Sequence, residues 1–391
     1  MDKNDKFRKL RIFLNVVLGA IVAFGSPAKS AAEAVPLDRT SAPEFLDVRG
    51  VGDTGMAVSH QQPLPLTEML PANYYPEGVE ADFGKALDRF DPTGKSYRGD
   101  LSFINWETTV GTECSEFWKP KQENVYAFVS HPDNLLAAYR RGFNLIGLAN
   151  NHIRDCIVGE GMDGALMSAR HLERLGLRLK IRWAWHGVGS EKNAYIKTIK
   201  VGKRRVRVAF ASWYVGGGDC TYVACISDRE TVMRSLRDAD ADLRILSIHS
   251  WNEETQKILV ETGRQFIREF EGDIVFGHGS HKWEAVQIVE SLSGKRGVLF
   301  ESLGNFIHPY LKPRPEQAIA RVLFDLKTLQ LRQIQVIPIA LDGVHASFEG
   351  AIAPTQLPAN FTWTVVDSAT WQSGVGEAVR GGYANIQQLK Y

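Results

Sequence analysis

Along most of this chain a short apolar run ends on a glycine or polar cluster, and a helical pattern follows. Leu46–Asp53 is the first such run and ends Gly52-Asp53; Asp100–Glu107 ends Asn105-Trp106-Glu107. Phe143–Ala149 leads into Asn150-Asn151-His152, and Leu243–Ile248 into His249-Ser250-Trp251-Asn252-Glu253. Asp273–Phe276 leads into Gly277-His278-Gly279-Ser280-His281, and Gly297–Leu303 into Gly304-Asn305-Phe306. Apolar positions at three- and four-residue spacing predict helices over Asn134–Arg141, Gly164–Leu175, Arg229–Asp238 and Glu254–Phe270. Arg205–Ala211 alternates as a strand, and residues 318–340 alternate as a β-hairpin. Strands alternating with helices predict an α/β fold. Ligands of open α/β sheets gather beyond the carboxyl ends of the strands, where these polar clusters sit.

The chain has 391 residues, 44% of them hydrophobic, enough for one large domain or two ordinary ones. A formal net charge of +1 gives no electrostatic reason to expect nucleic acid as a partner. At the N-terminus, Lys3, Lys6, Arg8, Lys9 and Arg11 precede an apolar stretch from Ile12 to Phe24, then Gly25-Ser26-Pro27 and small residues. That order predicts an export signal over residues 1–32, with an uncleaved anchor as the alternative. The apolar run is short of the about 20 residues of a membrane span. An Ala/Pro-rich linker at 33–45 would lead to the main domain at 46–340, and residues 341–391 form an extension without a readable pattern. Cys114, Cys156, Cys220 and Cys225 allow two disulfides in an oxidising compartment, in three pairings. Cys220 and Cys225 are close enough for a local loop closure.

Taken singly, the polar clusters have plain structural uses. A strand-end Asp caps a helix, paired Asn shapes a turn, and a lone His is commonly structural. Together they are a metal-ligating inventory. Imidazole suits divalent transition metals, and carboxylate or amide oxygen completes such sites. Three His with an Asp, a Glu and an Asn suffice for two metals, which activate water as a nucleophile and neutralise an anionic leaving group. His152, beside Asn151, is placed to donate a proton or hold an oxyanion.

The ordered set Gly52-Asp53, Asn105-x-Glu107, Ala149-Asn150-Asn151-His152, His249-x-Trp251-x-Glu253, Gly277-His278-x-x-His281 and Ser302-Leu303-Gly304-Asn305-Phe306 resembles the CapA family. These are capsule-synthesis, poly-γ-glutamate-biosynthesis proteins related to calcineurin-like metallophosphoesterases. The resemblance covers roughly residues 46–340. It implies a four-layer α/β/β/α sandwich, two mixed sheets between helices. It implies metal ligation by Asp53, Glu107, Asn151, His249, His278 and His281, a catalytic role for His152 with Asn151, and supporting places for Asn105, Asn150, Trp251, Glu253 and Asn305. The cofactor implied is one or two divalent ions, Mn, Zn or Fe. Metallophosphoesterases usually read Asp-x-His where this chain has Asp53-Thr54-Gly55, one ligand fewer.

Two functions are compatible with this set. One is an exported metal-dependent hydrolase acting on a phosphoester or γ-glutamyl amide of an anionic envelope substrate. The other is a non-catalytic factor that holds an anionic capsule polymer in the same pocket. Either would work beside membrane-bound capsule machinery. Trp106, Trp183, Trp185, Trp213, Tyr214, Trp251 and Trp283 offer faces for a sugar ring, but a core role is the commoner use of such residues.

Overall fold

A computed structural model describes residues 44–56, 58–59, 83–119, 125–159, 161–308 and 317–339, and the backbone of strands at 361–367, 371–376 and 384–388. The segment read as an export signal lies outside the described residues. The elements begin with β1 (Phe45–Thr54), β2 (Val58–Ser59), α1 (Phe83–Phe90), β3 (Leu101–Trp106), β4 (Thr109–Val110), β5 (Glu116–Phe117) and β6 (Phe128–Ser130). Next come α2 (Pro132–Arg140), β7 (Leu145–Gly147), β8 (Cys156–Val158), β9 (Met162–Asp163), α3 (Gly164–Leu179), β10 (Ala184–His186), β11 (Tyr195–Val201) and β12 (Arg204–Tyr214). After these come α4 (Arg229–Asp238), β13 (Leu243–His249), α5 (Glu253–Phe270), β14 (Ile274–His278), β15 (Val286–Glu290) and β16 (Arg296–Phe300). The last are β17 (Gln317–Asp325), β18 (Leu331–Ile339), β19 (Phe361–Asp367), β20 (Trp371–Gly376) and β21 (Ala384–Gln388).

Two large mixed sheets result. The first runs β10-β7-β3-β1-β17-β18-β21 and the second β11-β12-β13-β14-β16-β15-β19-β20. The predicted hairpin is β17–β18, and β17 joins the first sheet antiparallel to β1. Three strands fall in the stretch read as patternless: β19 and β20 extend the second sheet and β21 the first. Ala384–Gln388 shows no apolar alternation, so its pairing is set by its neighbours, not by its own period.

The period of two along each strand builds the layers. Leu46, Val48, Phe103 and Leu145 from the first sheet meet Val208, Phe210, Ile245, Ile274 and Phe276 from the second in one buried cluster. The opposite face of the first sheet, with Val51, Ile104, Trp106 and Ile146, is covered by α1, α2 and α3 through Phe83, Leu87, Leu135, Leu172 and neighbours. The outer face of the second sheet, with Ala211, Trp213, Leu246 and Val275, is covered by α4 and α5 through Met233, Leu236, Leu259 and Phe266. The molecule is therefore a four-layer α/β/β/α sandwich. Each fully buried Leu, Ile or Phe here contributes about 1.5–3 kcal/mol of transfer free energy.

Between the sheets the core changes character from one end to the other. The inward row on β13 reads Leu243, Ile245, Ser247, His249, and on β14 Ile274, Phe276, His278. On β3 it reads Leu101, Phe103, Asn105. The rows are apolar where the strands begin and polar where they end. On β1 the period alone would aim Asp53 at the helices. A bulge between Val51 and Asp53 resets the register, so that Asp53 pairs with Asn105 and faces the second sheet with it. Gly52 is at the bulge, and a Cβ there would stand 1.9 Å from the Gly304 carbonyl oxygen.

Candidate metal centre

The polar ends of these rows converge on Asp53, whose side chain is fully buried. Its Oδ1 accepts from Asn105 Nδ2 at 2.8 Å and lies 3.7 Å from His278 Nδ1 and 3.8 Å from His249 Nδ1. Its Oδ2 accepts from the Gly279 amide at 3.0 Å and lies 3.0 Å from His281 Nδ1. His249 Nε2 is 2.8 Å from Asn151 Oδ1 and 3.6 Å from Glu107 Oε1. Two ligand groups share Asp53: one with His249 and His278, the other with Glu107 and His281. Four of the six residues expected as ligands thus gather around the carboxylate of a fifth, Asp53, and the sixth, Asn151, joins through His249.

The surroundings hold each ring in place. Ser247 Oγ is 2.8 Å from His278 Nε2, which leaves Nδ1 toward Asp53 and 2.8 Å from His249 Nδ1. His281 has φ of +61°, in the left-handed region that non-glycine residues seldom occupy. Gln317 Nε2 donates to its carbonyl and Asn305 Oδ1 lies 2.9 Å from its Nδ1, and these contacts hold that conformation. The preceding Gly279 is at φ +110°, and a Cβ there would meet the Ser250 carbonyl oxygen at 1.8 Å.

The electrostatics fit a cation. Burial pushes the Asp53 carboxyl up, but His281, His249 and Asn105 outweigh it and bring it below the ordinary value. Burial, reinforced by the Asp53 charge, pushes the Glu107 carboxyl well up. Burial drives His249 well down and His278 down to about 3. Burial opposes a charge on His281 too, yet Glu107 and Asp53 raise it to about 9. Both Glu107 carboxylate oxygens and Asn105 Oδ1 are buried with no hydrogen-bond partner. Buried acceptors left so cost about 1–3 kcal/mol each, more when charged. A divalent ion held among these imidazole, carboxylate and amide donors would remove that cost.

His152 belongs to a neighbouring group. Its Nδ1 lies 2.5 Å from Asp155 Oδ2, and Lys119 Nζ lies 2.9 Å from Asp155 Oδ1 and 3.1 Å from His152 Nδ1. Burial holds the His152 imidazole below its ordinary value; Asp155 opposes this and Lys119 adds to it. Asn150 shapes the turn: its Nδ2 donates to the Trp106 carbonyl and its Oδ1 accepts from the His152 amide. The Cys114–Cys156 disulfide ties the residue after Asp155 to a distant part of the chain, and Cys220–Cys225 closes a local loop. A cavity of about 190 Å³ opens beside Asn151, lined also by Trp118, Lys119, Tyr214 and Cys225.

Two expected residues lie apart. Trp251 is 55% exposed, and Glu253 is exposed in the first turn of α5, whose N-cap is Asn252. Both follow His249 after the strand has ended, so the inward period no longer directs them. Trp106, Trp183, Trp213 and Trp283 are core residues. Sequence reading missed Asp155, Ser247, Lys119, Gln317 and His308. Ser247 was accessible from the period of two through His249, and Asp155 as an acid three residues beyond His152. Thr108 and His308 crowd Gly55: a Cβ at position 55 would stand 2.5 Å from Thr108 Cγ2 and 3.1 Å from His308 Cδ2.

The family description "bacterial capsule synthesis protein PGA_cap" matches residues 51–310, which span every candidate ligand above. The chain belongs to this family. The PGA_cap match covers the candidate metal site and runs from within β1 to just past Asn305. Among curated proteins no sequence matches the chain. Among solved structures, the chain is similar to a novel phosphatase from Mycoplasma pneumoniae, at 12% identity and a TM-score of 0.39, over 76% of this chain and 94% of that one. It is similar to a hypothetical protein from Thermus thermophilus, at 11% identity and a TM-score of 0.41, over 74% and 96%. It is also similar to a purple acid phosphatase from yellow lupin, at 10% identity and a TM-score of 0.33, over 79% and 52%.

Proposed function

We propose that this PGA_cap protein is an exported metal-dependent hydrolase acting on a phosphoester or γ-glutamyl amide of an anionic envelope substrate. The observation that carries the reading is Asp53: one buried carboxylate shared by two ligand groups, beside a Glu107 carboxylate with no hydrogen-bond partner. Bound there, divalent ions would polarise the substrate oxygen and lower the pKa of water. Asp53 and Glu107 supply the negative charge that holds them, and Ser247 fixes the His278 ring. In the tautomer whose Nδ1–H donates to Asp155 Oδ2, His152 would keep Nε2 to exchange a proton with a leaving group. Lys119 supplies positive charge beside it for an anionic substrate. Two disulfides and the N-terminal basic-apolar-small sequence support export to an oxidising compartment. An anionic polymer and membrane-bound capsule machinery are the partners this reading calls for.

Elemental analysis of protein purified without chelators is expected to find one to two equivalents of a first-row metal, of the kind two-ion sites hold. Generic phosphoester hydrolysis is expected to need that metal and to be lost in His152→Ala. Full metal content with no turnover on phosphoester and γ-glutamyl panels would favour a polymer-holding role for the same pocket.

A further inference from the structure

On β12 the inward row reads Val206, Val208, Phe210, Ser212, Tyr214, while Ala209, Ala211 and Trp213 face α4 and α5. Ser212 Oγ lies 3.4 Å from Ser247 Oγ, its counterpart in the inward row on β13. The register pairs Tyr214 with His249, and His249 with His278. Three adjacent strands therefore end their inward rows side by side, on a phenol and two candidate ligands. The Tyr214 and His249 ring centroids are 5.9 Å apart. Tyr214 is half-buried, and among the described residues its hydroxyl makes no hydrogen bond. A phenol hydroxyl turned inward ordinarily finds a partner. Tyr214 lines the cavity of about 190 Å³ together with Asn151, whose Oδ1 lies on His249, and with Lys119 and Asp155 of the His152 group. The phenol thus stands where that cavity meets both groups.

The loop after β12 is built around this ring. It begins Val215-Gly216-Gly217-Gly218, and a Cβ at Gly216 would stand 2.1 Å from Tyr214 Cζ and 2.3 Å from its hydroxyl oxygen. The Tyr214 amide bonds the Ala224 carbonyl, and the Ile226 amide bonds the Gly216 carbonyl. Trp213 Nε1 donates to the Cys225 carbonyl at 2.7 Å, and the Cys220–Cys225 disulfide closes the loop. A phenylalanine would fill the same space against His249, so the hydroxyl is the part of this side chain that packing does not use. We propose that Tyr214 contacts the substrate: its hydroxyl donates a hydrogen bond to an anionic oxygen of the group under attack at the candidate metal centre. The proposal deepens the hydrolase reading above and rests on it for the reaction. Attack at phosphorus and attack at an amide carbon both put negative charge on oxygens of the reacting group, where a donor already held in place stabilises it. The phenol keeps its proton throughout.

The test is Tyr214→Phe, which keeps the ring and removes the hydroxyl. Metal content and melting temperature are expected to match wild type. On a generic phosphoester, kcat is expected to fall by about 10²–10³ with KM little changed. The affinity of the metal-loaded protein for inorganic phosphate, read by calorimetry, is expected to fall about tenfold. A ring that only packs would move neither quantity. Unchanged kcat together with unchanged phosphate affinity overturns the proposal. Loss of metal in Tyr214→Phe also overturns it, since the phenol would then be a ligand. A rise in KM with kcat intact overturns it as well, by putting the contact away from the reacting oxygens. If wild type hydrolyses nothing, the hydrolase reading falls alone, and a tenfold loss of phosphate affinity in the variant still supports the phenol as an oxyanion donor.

Discussion

Asp53 Oδ2 lies 3.0 Å from His281 Nδ1, so the carboxylate common to both ligand groups is itself ion-paired when no cation is present. A metal entering the Glu107 side must take that nitrogen from a proton.

His281 is raised to about 9, whereas His249 and His278 are lowered and already neutral at pH 7. Only His281, among the three rings, has a proton to lose there. Raising the pH toward 9 removes the competitor, so apparent Mn or Zn affinity should rise by up to about tenfold per pH unit and level off above that value. Calorimetric titration in buffers of different ionisation enthalpy reads the proton release directly. An affinity flat from pH 6 to 9, with no proton released, would show that His281 does not ligate.

Glu107 gives a prediction of opposite sign with and without metal. Its folded pKa is raised above the ordinary value of 4.5. Its contribution to stability is therefore present below about pH 4.5 and lost as pH rises through the folded value. At pH 7 the metal-free Glu107→Gln variant should melt a few degrees above metal-free wild type. Added metal should raise the wild-type melting temperature, and the variant's much less. Differential scanning fluorimetry with and without chelator distinguishes these outcomes; a variant less stable in both conditions contradicts them.

His152 stands outside both ligand groups. His152→Ala should therefore lower kcat by about 10²–10⁴ and leave metal content unchanged. Asp155→Asn should lower kcat less, because it alters the tautomer and orientation of the ring but keeps the imidazole. If His152→Ala instead strips the metal, the histidine has a ligating role and the division into two groups is wrong.

Gly52 and Gly176 separate close approach from helix propensity. A methyl at Gly52 meets the Gly304 carbonyl oxygen at 1.9 Å, whereas at Gly176 the nearest atom is 3.7 Å away. Gly52→Ala should cost about 1–3 kcal/mol or more and lower metal content, since the bulge that aims Asp53 must shift. Gly176→Ala, inside α3, should gain about 0.5–1 kcal/mol. Denaturant melts and metal analysis of the two variants check both halves.

Much of the fold was legible because the strands are inward-facing on one side and helix-facing on the other. Leu243–His249 and Arg229–Asp238 match the sequence expectation nearly to the residue, and the two central sheets follow from such segments. The convergence of the candidate residues was legible for the same reason: His249 and His278 continue apolar rows by the period of two. Asp53 was legible by its strand-end place alone, since its orientation depends on a bulge that no local pattern reveals. Lys119, Gln317 and His308 reach the site from loops or distant strands, and nothing in their own neighbourhoods marks them. Trp251 and Glu253 were misplaced because a motif's spacing continues past the strand while its geometry does not.

The segment after β16 has a mechanical consequence. The Leu303 amide bonds the Gly277 carbonyl of the second sheet, and one residue later the Gly304 carbonyl takes the Asp53 amide of the first. The Phe306 amide then bonds the Asp53 carbonyl. The two sheets are laced by main chain at the end where their shared core is polar, and a cation among the ligands would rivet that same seam. Emptying the centre should let the sandwich gape from that edge first, with amide hydrogen exchange speeding up around Asp53 and Gly304 while the apolar end stays shut.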